Sequence, residues 1–270
     1  MTRTMDQAVS QIATEFPERG WLAALCRGPF RLFLICATLN ALLFGVVLST
    51  TFRCFDSGDD PAMMQIASGA MTGEPSDRLV FTNVLIGRVL RQLYAHDPAL
   101  NWYAYYLLAV HYLATTALLC AFVRLERSTR AVCAYLLLFA VFEIRLLLEF
   151  QFTSTALLAG FSGVALTLTD ALSAARRPTA ASVCGGALVV LSAMIRVDSF
   201  YFAMLIIAPL VLIAMWMPIP PAGLLRRYRD LLWPLAVSIA LALGAVQYDH
   251  WSYSRDPEWS TFREYQSVRA

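Results

Sequence analysis

The chain has 270 residues, of which 59% are hydrophobic and 15% charged, with a net charge of +2 and a mean hydropathy of +0.59. That leaves too little polar surface to cover a water-soluble globule of this size, and it assigns the chain to a membrane. The small, dispersed charge argues against nucleic acid as a partner, and six cysteines without a CxxC pair indicate neither a disulfide framework nor a zinc site.

A hydrocarbon layer about 30 Å thick takes roughly twenty apolar residues in a helix. Leu32 to Thr51 and Trp102 to Val123 each fit one crossing. The apolar block from Ala131 to Leu172 is long enough for two and is interrupted by Glu143, Arg145, Glu149 and Gln151. Ala181 to Met217 divides in the same way at Arg196 to Ser199, and Leu231 to about Val246 makes a seventh span with Trp233-Pro234 near its start. The first run lacks a small-residue cleavage pattern and reads as an uncleaved signal anchor. The fold class expected is therefore all-α, a polytopic integral membrane protein of about seven transmembrane helices in a single domain.

Orientation follows from the arginines, since all 21 basic residues are Arg and cytoplasmic loops carry the positive excess. Arg27 and Arg31, then Arg124, Arg127 and Arg130, then Arg176 and Arg177, then Arg226, Arg227 and Arg229 fall on one side if there are seven spans. Residues 1–31 are then cytoplasmic, 32–51 the first span, 52–101 an extracytoplasmic loop, 102–248 the second to seventh spans, and 249–270 an outward tail. The outward loop of about fifty residues is too long for a plain connector. Asp60-Pro61 ahead of "AMMQIASGAM" has the look of a capped helix start. "RLVFTNVLIGRVLRQLYA" puts Leu79, Thr82, Val89 and Leu93 on an apolar face and Arg78, Arg88, Arg91 and Gln92 on a polar one. Two interfacial helices are expected there.

The loop opens with "CFDSGDDPAMMQ", three carboxylates in five residues. Asp56, Asp59 and Asp60 have three readings. Asp60 can cap the following helix; the three can hold a hard divalent cation; or one can accept a proton from, or orient, an attacking hydroxyl. An acidic pair in the first outward loop, after the first span and before interfacial helices, resembles the GT-C superfamily of integral-membrane glycosyltransferases. "GDDPAMMQIASGAMTGEPSDRLVFTNVLIGRVLRQLY", "EFQFTSTALLAG", "IRVDSFYF" and "FREYQSVRA" are similar to a group of bacterial polytopic proteins of GT-C-like organisation. The resemblance implies transfer of a sugar from a polyprenyl-phosphate-linked donor to an extracytoplasmic lipid, glycan or protein acceptor. It also implies inversion in a single displacement, an inner-membrane location with the N-terminus cytoplasmic, and Asp59 and Asp60 as the catalytic pair. GT-C enzymes usually continue past seven helices, so the resemblance further implies an N-terminal part of a longer protein.

Ionisable residues at membrane depth mark a functional cavity or a closed pair. Arg145 has Glu149 at i+4 and Glu143 nearby, which reads as a local ion pair. Alternatively Arg145 or Arg196, with Arg88 and Arg91 of the loop, holds the phosphates of the lipid carrier, a task suited to the guanidinium fork. Asp198 beside Arg196 competes for it. His111 and Asn40, both mid-span, read as interhelical hydrogen-bond partners, and His96 and His250 give little support for metal ligation. Two rivals remain: a transporter or flippase lined by Glu143, Arg145, Glu149, Arg196 and Asp198, and a non-catalytic membrane scaffold. The sequence leaves the oligomeric state open.

Overall fold

The computed structural model describes residues 28–50, 54–55, 58–126, 128–172, 179–216, 221–257, 259 and 261. Asp56, Arg27, Arg127, Arg176, Arg177 and the stretch 262–270 lie outside them. The element order is α1 (Pro29–Thr50), β1 (Cys54–Phe55), α2 (Asp59–Ser68), α3 (Val84–His96) and α4 (Trp102–Leu125). There follow α5 (Thr129–Leu148), β2 (Glu149–Phe150), α6 (Phe152–Leu172), α7 (Ala180–Ile195), α8 (Val197–Trp216) and α9 (Pro221–Ser254). The protein is mostly helical, and α1, α4, α5 and α6 are long and apolar enough to cross a membrane. Helices α7 and α8 are shorter apolar helices. At 1.5 Å per residue, the 16 residues of α7 reach about 24 Å.

The two expected internal breaks are present, with a difference in the first. Only Glu149 to Gln151 leave the helix, whereas Glu143 and Arg145 stay inside α5. Phe139–Glu143 forms a wide π turn there, in which the Ile144 N–H donates to the Phe139 carbonyl five residues back. The extra residue lets the apolar run continue while re-aiming the side chains after it. At the second break Arg196 adopts an extended backbone between α7 and α8.

The loop after α1 also holds two helices, each starting later or differently than its sequence suggests. Helix α2 begins at Asp59 with Gly58 at the N-cap position and no side-chain cap, so Asp60 lies in the first turn and is not the cap. Helix α3 begins at Val84, where the Asn83 side chain accepts from the Leu85 N–H. Its buried face is Ile86, Leu90 and Tyr94; Val89 is exposed and Leu93 only half-buried. The period is as expected but its phase is turned, because α3 must cover α4 and α9 at once. β1 pairs in parallel with β2, Cys54 opposite Glu149 and Phe55 opposite Phe150, which ties the chain after α1 to the break after α5.

Helix α4 is the buried centre, with Tyr103, Leu107, Ala114 and Leu119 almost wholly covered and with α1, α5 and α6 packed around it. Helices α6 and α7 approach each other closely. A Cβ on Gly163 would stand 2.5 Å from the Gly185 carbonyl oxygen, and one on Gly185 would stand 2.5 Å from that of Gly163. Small residues let backbones meet where lipid offers no hydrophobic drive for association. At the far end of both helices the buried Asp170 carboxylate accepts from Arg124 Nη1 at 2.6 Å, Thr179 Oγ1 at 2.6 Å and Ser182 Oγ at 2.7 Å. Arg124, expected as a loose loop charge, therefore closes this end of the bundle.

Gly185→Ala drives a methyl group into backbone and should destabilise the detergent-solubilised protein by about 1–3 kcal/mol. Gly45→Ala, where a Cβ meets nothing within 4 Å, should leave thermal unfolding unchanged or slightly raised. Equal melting of the two variants would mean that α6 and α7 do not touch at these glycines.

Candidate functional site

The acidic pair is divided by the start of α2. Asp59 is exposed, whereas Asp60, one residue on, is completely buried. Asp60 Oδ1 accepts from the Tyr103 hydroxyl at 2.8 Å and from the Phe152 N–H at 3.2 Å. Those donors sit in the first turns of α4 and α6, where backbone N–H groups have no partner within their own helix. A buried carboxylate is tolerated only with donors turned on it, and each of these belongs to a different element of the bundle. Asp60 thus fastens the loop to the membrane-embedded helices.

The same Phe152 leads to Arg196. The Arg196 Cζ lies 4.8 Å from the centre of the Phe152 ring and 5.6 Å from that of Phe81, and the two rings stack at 5.8 Å and 21°. Arg196 Nη1 donates to Thr153 Oγ1 at 2.6 Å, and Nε stands 3.8 Å from Asp198 Oδ2. The side chain keeps 28% exposure, so the guanidinium, which carries five N–H donors, is held from one side and open on the other. Asp198 is 86% exposed and its hold on Arg196 is screened by solvent. The expectation that Asp198 would occupy Arg196 is therefore met only in part.

The other sequence-selected residues lie elsewhere. Arg145 pairs with Glu149 at 3.2 Å and is 77% exposed, the local ion pair expected at i, i+4. Arg88 pairs with Asp77 at 3.4 Å and donates from Nη1 to the Tyr248 hydroxyl at 2.7 Å. The Tyr248 bond raises the guanidinium pKa further above its ordinary value. Arg91 is exposed on the same helix and makes no ion pair among the described residues. Glu143 is not part of the Arg145 cluster: it is buried, with Oε1 2.9 Å from His111 Nδ1. Asn40 bridges α1, α4 and α5, donating to Thr115 Oγ1 at 2.6 Å and accepting from the Tyr135 hydroxyl at 2.5 Å. His111 and Asn40 are interhelical partners, as expected.

Against protein-family models, curated proteins and solved structures, this chain finds no match. What the site does must therefore be read from its own geometry. Among the described residues no group of three or more His, Cys, Asp and Glu side chains is placed to hold a metal ion. The described donors on Asp60 are an O–H and an N–H, and Asp56, the third carboxylate of the cation reading, lies outside the described residues.

Tyr103, Phe152, Thr153 and Phe81 were not singled out by sequence. The signal available was weak: "EFQFT" places aromatic residues and a hydroxyl at a helix start, but the partners of Thr153 and Phe152 are 43 and 92 residues distant in the chain. Tyr94 adds a second layer. Burial pushes its phenol pKa up, and its oxygen accepts from the Tyr103 N–H at 3.1 Å.

Asp60→Ala removes the acceptor and leaves buried donors, at a cost of about 1–3 kcal/mol per orphaned group. Thermal unfolding in detergent should show this loss for Asp60→Ala, and no loss beyond about 0.5 kcal/mol for the exposed Asp59→Ala. The reverse order of the two variants would contradict the burial described here.

Proposed function

We propose that this protein is a membrane glycosyltransferase of GT-C-like organisation, taking a sugar from a polyprenyl-phosphate donor to an acceptor outside the cytoplasm. In this reading α1, α4, α5, α6, α7, α8 and α9 are seven passages of a bacterial inner membrane, with the N-terminus inside. The loop bearing α2 and α3 lies on the outer face. The observation that carries the reading is one residue with two contacts: the Phe152 N–H on Asp60 Oδ1 at 3.2 Å, and the Phe152 ring under Arg196 at 4.8 Å. Through Phe152 an acidic pair and a half-open guanidinium stand at the same end of the bundle.

The roles divide by exposure. Asp59, reachable from outside, accepts the proton of the acceptor hydroxyl or orients it. That oxygen attacks the anomeric carbon from the face opposite the phosphate, and the C–O bond to phosphate breaks with its electron pair leaving on the phosphate. Arg196 stabilises the charge that develops there, where a fixed fork is worth more than a hydrated cation. Asp60 touches neither partner and acts as a positioning residue. Arg88 and Arg91, on the exposed side of α3, supply positive field for the anionic carrier.

A transporter or flippase reading is favoured by a different observation, the buried His111 and Glu143 pair beside a π turn. His111 lies nine residues into α4, about 13 Å from its start, and ionisable pairs at such depth often mark a transport route. The two readings separate on which variant fails. Lipid-linked and surface glycans are profiled in cells carrying wild type, Asp59→Asn, Arg196→Gln, His111→Gln or no copy, with membrane levels quantified. The glycosyltransferase reading expects Asp59→Asn and Arg196→Gln to reproduce the deletion's missing glycan at normal protein levels. It is lost if Asp59→Asn matches wild type, and the transport reading gains if His111→Gln alone fails.

A further inference from the structure

The tight turn just before α3 has a geometry that a plain connector does not require. Val80 has φ +62°, the one positive-φ residue other than glycine among the described residues, and it is β-branched, the side-chain type for which that region is a true outlier. The Phe81 N–H donates to the Leu79 carbonyl at 2.6 Å, two residues back, and Leu79 bridges to Thr82. A three-residue turn with a positive φ at its centre is rare and strained. Strain of this kind persists only where the surroundings over-determine it, and it gathers at functional sites.

The surroundings do over-determine it. Leu79 and Thr82 are buried on either side. The Asn83 N–H donates to the Met194 carbonyl and its Nδ2 to the Ala245 carbonyl, each at 2.8 Å, so the turn is clamped to α7 and α9. The result is the placement of Phe81. A large apolar ring stays 38% exposed, stacked on Phe152 and beside the open guanidinium of Arg196.

Resting on the reading that Arg196 holds a phosphate, we propose that Phe81 is a substrate-contacting residue, an apolar platform for the carbons directly attached to that phosphate. The pair of them selects a phosphate ester of a long-chain alcohol over free phosphate, and over the alcohol alone. A cation beside an exposed aromatic face suits this ligand because both parts are met within one ring's width: charge by the fork, and apolar carbon by the ring. Neither Arg196 nor Phe81 alone provides that discrimination.

The test uses the whole chain in a phosphate-free detergent, with farnesyl phosphate, inorganic phosphate and farnesol as probes in a calorimetric or fluorescence titration. Wild type should bind farnesyl phosphate at least tenfold more tightly than either other probe. Phe81→Ala should lose about tenfold for farnesyl phosphate and leave inorganic phosphate unchanged, while Phe81→Trp keeps wild-type affinity. Val80→Gly relieves the turn; it should raise the melting temperature yet weaken farnesyl phosphate, and it carries the test if Phe81→Ala does not fold. Unchanged binding in Phe81→Ala and Val80→Gly overturns the proposal while the glycosyltransferase reading stands, and makes Phe81 a bilayer-facing ring. Farnesol binding as tightly as its phosphate overturns it too. Failure of wild type to bind farnesyl phosphate at all removes both the proposal and the reading under it.

Discussion

A carboxylate with no exposed surface organises one end of this molecule. Burying Asp60 would be unfavourable by several kcal/mol if its charge stood alone, so its position is set by where donors can be gathered. The first turns of α4 and α6 provide them, as the Tyr103 hydroxyl and the Phe152 amide. Once Asp60 is seated, α2 is fixed against the bundle, Asp59 is left outside, and Phe152 is oriented by its own backbone. The Phe152 ring then fixes Arg196, and with Phe81 it forms the face on which the guanidinium rests. Acid, cation and aromatic platform are thus linked through one amide.

The remaining polar groups repeat that logic at other depths. Asn40 joins α1, α4 and α5 through Thr115 and Tyr135, His111 meets Glu143, and Asp170 gathers Arg124, Thr179 and Ser182 at the far end. Lipid-like surroundings supply no water to these groups, so each is matched by a partner on another helix. Between them the helices approach through Gly163 and Gly185, where the absence of a side chain allows the contact. Few of these links are local in sequence, and each restricts helix rotation as well as distance.

The helices themselves were legible because apolar runs and their polar interruptions follow directly from the need to bury backbone in hydrocarbon. The breaks at Gln151 and Arg196 and the two helices of the loop fall close to where hydropathy and turn residues place them. What was illegible is pairwise. Hydropathy gives the period of α3 but not its phase, so Val89 was expected inside and is exposed. The pattern at Glu143, Arg145 and Glu149 suggests one cluster, but the π turn sends Glu143 inward to His111 and leaves Arg145 with Glu149 in the open. An Asp-Asp-Pro start reads as a cap at Asp60 because capping is a local rule, whereas its actual partners lie 43 and 92 residues away. In the candidate site, the types Asp and Arg were visible from sequence; the aromatic residues that bring them together were not.

Hydrogen exchange across α2 in wild type and in Asp60→Ala, with Asp59→Ala as the control, tests most directly whether one buried carboxylate holds the site together. The account predicts that Asp60→Ala raises exchange through Asp59–Ser68 and at the Phe152 amide while α6 and α7 stay protected around Gly163 and Gly185. Asp59→Ala should match wild type. Unchanged protection of α2 in Asp60→Ala would contradict it, and would mean that the loop is held to the bundle by contacts other than this anion.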